Sequence, residues 1–220
     1  MSTAQHATTA PFAVVEAEAG LEFERQVDAL VQAGLPAWRD LADECFRAWL
    51  EPLRDLLPTL PASPVIPFVV VVPDAPVRDV LGTTQMIGGT GFTTVPDDDL
   101  DRFRPLPELD VPATPYLLLD VDTGAGTLGL PPAQAAGSIA GAGRTPLTVA
   151  EGLAVLVSDP GVLRSRNCFS LLGSRAGDKR VPALWISARR PRLGWCYQGA
   201  PHTWLGSASC AGRLGEPSFA

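Results

Sequence analysis

The sequence predicts an α+β fold, with an N-terminal helical hairpin packed on a mixed β-sheet in a single domain. Three observations predict it. Apolar residues recur at helical spacing early in the chain, between Phe23 and Trp49. The continuous apolar run Phe68–Val72 and the segment Tyr116–Val121 then have the length and composition of buried strands. Beyond a further helical stretch, two strand-like segments separated by a basic turn close the chain, and no internal repeat or linker divides it.

Taken in order, residues 1–20 carry no basic or strongly apolar stretch of the kind a secretory signal needs, and read as a disordered Ala/Thr-rich tail. The domain is taken as residues 21–216. Phe23, Val27, Leu30 and Val31 give a first helix, stopped at Gly34. Pro36 fits the first turn of a second helix, where Trp38, Leu41, Ala42, Cys45 and Trp49 form one apolar stripe with Cys45 on its buried side. Pro52 breaks that helix, leaving Leu53–Leu57 as a short continuation. Residues 74–114 are rich in Gly, Pro and Asp and read as long loops. Ala133–Ala142 is a weak helix. Thr148 and Glu151 form a capping-box pattern ahead of Val149, Leu153, Leu156 and Val157, and Asp159-Pro160-Gly161 ends that helix. Val181–Ser187 and Leu193–Gln198 are the two closing strands.

A chain of 220 residues with 46% hydrophobic and 19% charged side chains can bury a core without disulfides. No segment has the length of a membrane span, so the four cysteines read as reduced thiols in a cytoplasm. Arginine outnumbers lysine sixteen to one (Lys179 alone), as expected of a GC-rich bacterial genome. The net charge of −7 argues against a nucleic-acid surface and conceals an asymmetry. Residues 1–160 hold 22 acidic and 8 basic side chains, whereas residues 161–220 hold 2 acidic and 9 basic ones. Either the two parts neutralise each other across the fold, or some arginines line a pocket for a small anion.

Several motifs fail on context. Gly88-Gly89-Thr90-Gly91 lacks the flanking strand and helix of a dinucleotide loop. Asp120-Val121-Asp122 resembles a phosphatase nucleophile strand, but the one lysine, Lys179, has no acidic pair downstream of it, and two aspartates at a strand end more often cap a turn. No G-x-S-x-G elbow exists.

The constellation that carries most chemistry is Cys168, Cys196, His202 and Cys210, within a site-bearing segment of about residues 161–213. Three thiolates and an imidazole would close a tetrahedral zinc site, although the intervening 27, 5 and 7 residues match no zinc finger or ribbon. Alternatively His202 activates Cys196 or Cys210 as a thiolate nucleophile, with Cys196 and His202 as the catalytic pair. The third reading is three buried structural cysteines and a hydrogen-bonded histidine. Trp185, Trp195 and Trp204 are interleaved with arginines in the same segment, so Arg175, Arg180, Arg192 and Arg213 with Trp195 or Trp204 are the candidate ligand-binding residues for a small anion.

Tyr116–Gly124 (YLLLDVDTG) and Arg144–Gly152 (RTPLTVAEG) resemble a mainly actinobacterial family of uncharacterised proteins. The likeness continues through Cys168-Phe169, Gly173-Ser174-Arg175, Arg180–Trp185, Leu193–Cys196, His202–Gly206 and Ser209-Cys210, covering about residues 60–213. It implies a bacterial, cytoplasmic protein and transfers no catalytic role. The function expected is small-molecule binding or catalysis at the C-terminal Cys/His/Trp/Arg segment, a specialised-metabolism enzyme being one form of it. Whether the protein is an enzyme stays open. The alternative is a zinc-stabilised, non-catalytic binding or regulatory module, with zinc as the cofactor. A third is an adaptor whose acidic half meets another protein. Neither nucleic acid nor membrane is an expected partner, and the oligomeric state is open.

Overall fold

The structure is a computed structural model, which describes residues 10–59 and 66–215. It opens with helix α1 (Ala10–Gln32), so the tail expected over residues 1–20 is corrected from Ala10 onward, and residues 1–9 lie outside the described ones. Alanine, glutamate and leucine favour helix here, and Ala19, Phe23, Val27 and Leu30 form its buried stripe. Gly34, left-handed at φ 77°, stops the helix ahead of a single turn at Leu35–Trp38. The next helix, α2 (Asp43–Leu50), starts later than the periodicity suggested because Asp40 turns left-handed at φ 55°. Phe46 and Leu50 are therefore the buried positions and Cys45 is exposed, not packed in the core. A 3₁₀ segment, Glu51–Leu56, follows with Pro at its start.

Strand β1 (Ile66–Val71) leads to helix α3 (Val77–Thr83), and a short β2 (Phe92–Thr93) follows. Then come β3 (Tyr116–Val121), α4 (Pro132–Gly141) and α5 (Val149–Ser158). The chain ends with β4 (Cys168–Ser170), β5 (Arg180–Ser187), β6 (Arg190–Tyr197), β7 (Leu205–Ser207) and β8 (Gly212–Gly215). Residues 74–114 are thus less irregular than expected.

Two sheets organise the core. In the first, β3 lies between β1 and β8, both antiparallel to it, with Phe68 opposite Leu119 and Leu214 opposite Leu117. The second is five-stranded and mixed, in the order β7-β4-β5-β6-β2. There β5 and β6 form a hairpin through the two left-handed residues Ala188 and Arg189, while β7 and β2 run parallel to their neighbours. One face of this sheet contributes Phe169, Leu184 and Leu193 to the main core, shared with α1, α5 and the first sheet. The other face packs Val181, Ala183 and Cys196 under Ala135 and Ile139 of α4.

The outer edge of β1 is closed by a side chain. Gln26 of α1, fully buried, accepts a hydrogen bond from the Val70 N–H at 2.8 Å and donates one to the Phe68 carbonyl at 3.0 Å. A single amide thereby supplies the donor and acceptor that a neighbouring strand would provide. Among the described residues, no helix is long and apolar enough to cross a membrane.

Candidate functional site

A cleft of about 880 Å³ opens beside the first sheet. One wall is the segment from Pro73 to Asp79, where Pro73 ends β1 and Asp74 adopts a left-handed φ of 59°. The opposite wall comes from residues 97–113, including Leu100, Phe103, Leu106, Leu109 and Val111. Tyr116, Thr148, Val149, Ala150 and Ser174 form the floor.

Local chemistry sets the floor. Thr148 and Glu151 make the capping box at the start of α5: the threonine hydroxyl accepts from the Glu151 N–H at 3.3 Å, and the glutamate accepts from the Thr148 N–H at 2.7 Å. Ser174 Oγ accepts from the next free helix amide, Val149 N–H, at 3.0 Å. Its neighbour Gly173 bonds Leu147 through its N–H and Leu106 through its carbonyl, fastening the far wall to the floor. A Cβ at Gly173 would lie 2.7 Å from the Leu147 carbonyl carbon, so this approach needs glycine.

The far wall is held from outside. Arg180 forms a two-pronged ion pair with Asp99, both bonds 3.0 Å long, and also binds Asp178. The Arg180 guanidinium keeps the Asp99 carboxyl below the usual carboxylate range. Phe103 and Trp195 each lie 5.7 Å from the same guanidinium. Arg102 adds a bond to Asp99 and another to the Ala176 carbonyl.

Directly beneath the floor lies a buried polar cluster. Glu151, with no exposed side-chain surface, takes the Tyr116 hydroxyl at 2.8 Å and the Arg213 guanidinium at 2.5 and 2.9 Å. Burial first, and then the adjacent Glu151 charge, push the Tyr116 phenol well above its ordinary pKa. Burial works against the Arg213 charge, but the Glu151 hydrogen bonds outweigh it and leave the guanidinium pKa raised. Arg213 also donates to Thr145 Oγ1 and the Pro146 carbonyl. Every donor and acceptor in this ion pair therefore has a partner, the condition a buried pair must meet to be tolerated.

The candidate metal, catalytic and ligand-binding residues of the C-terminal segment lie elsewhere, and none of them lines the cleft. Cys168 and Cys196 sit in the smaller core under α4, on strands with β5 between them. Cys210 belongs to the main core, its sulfur 3.2 Å from Thr145 Oγ1. His202 precedes β7, its ring 5.4 Å from that of Trp204. Among the described residues, no three His, Cys, Asp or Glu side chains form a group that could hold a metal. Cys168, Cys196, His202 and Cys210, the expected zinc ligands, are thus not brought together as one group, and no hydrogen bond joins His202 to Cys196 or to another sulfur among the described residues. Strand alternation is the reason. It turns Cys196 into the apolar interior while Trp195 and Tyr197 face outward. Burial raises the Cys196 thiol to about 11, an effect that Arg175 only partly offsets, and also raises those of Cys168 and Cys210.

Of the four candidate anion-binding arginines, Arg180 and Arg213 are committed to carboxylates of this chain. Arg175 donates to the Leu172 and Ser174 carbonyls, and burial lowers its pKa. Arg192 lies between two aromatic rings, Trp185 and Phe92. Trp195 packs edge-on to Tyr197 at 5.2 Å, and Trp204 edge-on to Trp185 at 6.4 Å. Of the aspartates at the end of β3, Asp122 caps its turn by accepting the Gly124 N–H at 2.7 Å, and Asp120 pairs with Arg144.

Residues 29–216 match the model of a family described as a family of unknown function, DUF5701. The chain belongs to that family. No curated protein and no solved structure matches it. Two segments of this DUF5701 chain that look ordinary in sequence, 73–79 and 97–113, form the cleft walls. Their only advance signal is the proline and aspartate content that marks residues 74–114 as loops. The Gly173-Ser174-Arg175 and RTPLTVAEG segments, by contrast, turn out to build the floor.

Proposed function

We propose that this DUF5701 domain binds a small organic molecule with an apolar body and a cationic amine, and that the cleft is where it binds. The observation that carries this reading is the make-up of the cleft. Its volume is in the range of small-molecule sites, its interior is largely leucine, valine, proline and phenylalanine, and its lining carries Asp74, Asp79, Asp97 and Asp101 against Arg78 and Arg104. Arg78 is already bound to Asp97 at 2.6 Å, so the remaining balance is acidic. The lining includes no histidine or cysteine, which favours binding over nucleophilic turnover. The arginine-rich, lysine-poor composition and four unpaired thiols support a cytoplasmic protein of a GC-rich bacterium.

Calorimetry and thermal shift with matched probes test this reading. 2-Phenylethylamine should bind and raise Tm, whereas 3-phenylpropionate, of similar size and opposite charge, should not. Asp79→Asn and Asp101→Asn, both at exposed positions, should each weaken the amine by roughly threefold, as expected for a partly screened charge pair. Equal or stronger binding of the carboxylate, or no binding of either probe, would overturn the proposal.

A further inference from the structure

A second feature lies on the other sheet, and none of its residues belongs to the cleft lining. Trp185 on β5 is directly opposite Arg192 on β6, and Arg192 is directly opposite Phe92 on β2. Residues opposite one another share a face, so the three side chains form a row across three strands. The Arg192 guanidinium lies 5.2 Å from the Trp185 ring centre and 5.6 Å from that of Phe92. Arg190, two residues earlier on the same face, lies 4.6 Å from the Phe92 ring. Trp204 extends the row from the Trp185 side. Gly194 makes room for it, since a Cβ there would sit 2.2 Å from the Trp185 ring. Helix α4 covers only the Val181, Ala183 and Cys196 part of this face, leaving Phe92, Trp185, Arg190 and Arg192 half-buried and Trp204 36% exposed.

The charge here is uncompensated. Arg190 donates to the Thr90 carbonyl at 2.7 Å and Arg192 to Thr94 Oγ1 at 2.9 Å, both neutral acceptors. Among the described residues, no carboxylate pairs with Arg189, Arg190 or Arg192. Two guanidinium groups are thus oriented by rings and single hydrogen bonds, with donors to spare and no counter-charge. That arrangement suits an anion with a flat ring: the rings offer stacking surface, and the guanidinium edges offer paired donors to a carboxylate or phosphate. The overall charge of −7 disfavours a long polyanion and favours a small ligand.

We propose that the Trp185–Arg192–Phe92 row, with Arg190 and Trp204, is a binding site for a planar aromatic acid. The ring stacks on one of Trp185 and Trp204 and meets the other edge-on, as the two rings meet each other, and its acid group bridges Arg190 and Arg192. This site is independent of the cleft and of opposite charge preference.

The test is fluorine NMR of the full chain labelled with 5-fluorotryptophan, which carries five reporters. Trp185→Phe and Trp204→Phe assign the two that matter. Titration with 2-naphthoate or 2-naphthyl phosphate should shift the Trp185 and Trp204 resonances saturably, and comparing the two probes shows which acid group is held. The neutral 2-naphthamide should shift neither. Arg190→Gln, which disturbs one exposed hydrogen bond, should weaken binding at least fivefold, and Arg192→Lys should not restore the affinity lost in Arg192→Gln. Asp101→Asn, in the cleft, should leave it unchanged. Equal shifts with the amide, undiminished affinity in Arg190→Gln, or no saturable shift with either acid would overturn the proposal.

Discussion

Cys45 and Cys196 show how far a residue's chemistry is set by where its element begins. Cys45 sits on an apolar-looking stripe, yet the left-handed turn at Asp40 delays its helix and leaves the thiol exposed. Cys196 lies beside arginines in the sequence, yet strand alternation buries it and raises its pKa to about 11. A thiol whose pKa is raised stays protonated until the pH approaches that value, so at pH 8 very little of it is the reactive thiolate. In native protein at pH 8, Ellman's reagent should therefore react rapidly with one thiol of four, and Cys45→Ser should remove that reaction. All four should react in guanidinium. Rapid native reaction of two or more thiols would contradict the burial of Cys168, Cys196 and Cys210. At an exposed position, Cys45→Ser should change stability by no more than about 0.5 kcal/mol.

Between elements, the buried, doubly bonded pair Glu151–Arg213 joins the start of α5 to the last strand, β8. Half of Glu151's role was legible beforehand. The capping box spans four residues and follows from local spacing, so Thr148 and Glu151 announce the helix start. The other half was not, because Tyr116 and Arg213 lie 35 and 62 residues from Glu151 and only the packed sheet brings them together. For the same reason Arg213 looked like a free anion-binding group. Arg213→Met would leave a carboxylate buried without its counter-charge, and should cost about 3–5 kcal/mol in urea denaturation. Glu151→Gln combined with Arg213→Met should recover part of that loss. A cost below about 1 kcal/mol for Arg213→Met would mean that water reaches the pair.

Over the whole molecule, strands and helices with strong periodicity were readable: β3 runs from Tyr116 to Val121 as expected, and the α+β class holds. The cleft was not readable, because its walls are loops whose shape depends on distant anchors such as Arg180 to Asp99 and Gly173 to Leu106. The acidic and basic parts of the chain do meet, at Asp99–Arg180 and Glu151–Arg213, but the arginines of the β5–β6 turn stay outside that balance.

The amide of Gln26 bears on how the protein keeps to itself. The family match begins at residue 29, three positions after Gln26. A chain trimmed to residues 29–216 would keep every matched residue and lose the side chain that occupies the edge of β1. Phe68 and Val70 would then offer a bare carbonyl and a bare N–H in an apolar, β-branched strand, a template for pairing with a second molecule. Light scattering of the trimmed chain should rise with concentration, and infrared spectra should gain an intermolecular β signal. Gln26→Leu in the untrimmed chain, still shielded by α1, should keep the association state of the unaltered chain while losing roughly 2–4 kcal/mol from two unmade buried hydrogen bonds. If the trimmed chain associates no more than the untrimmed one and keeps its stability, the guarding role fails, and α1 is only one more helix against the core.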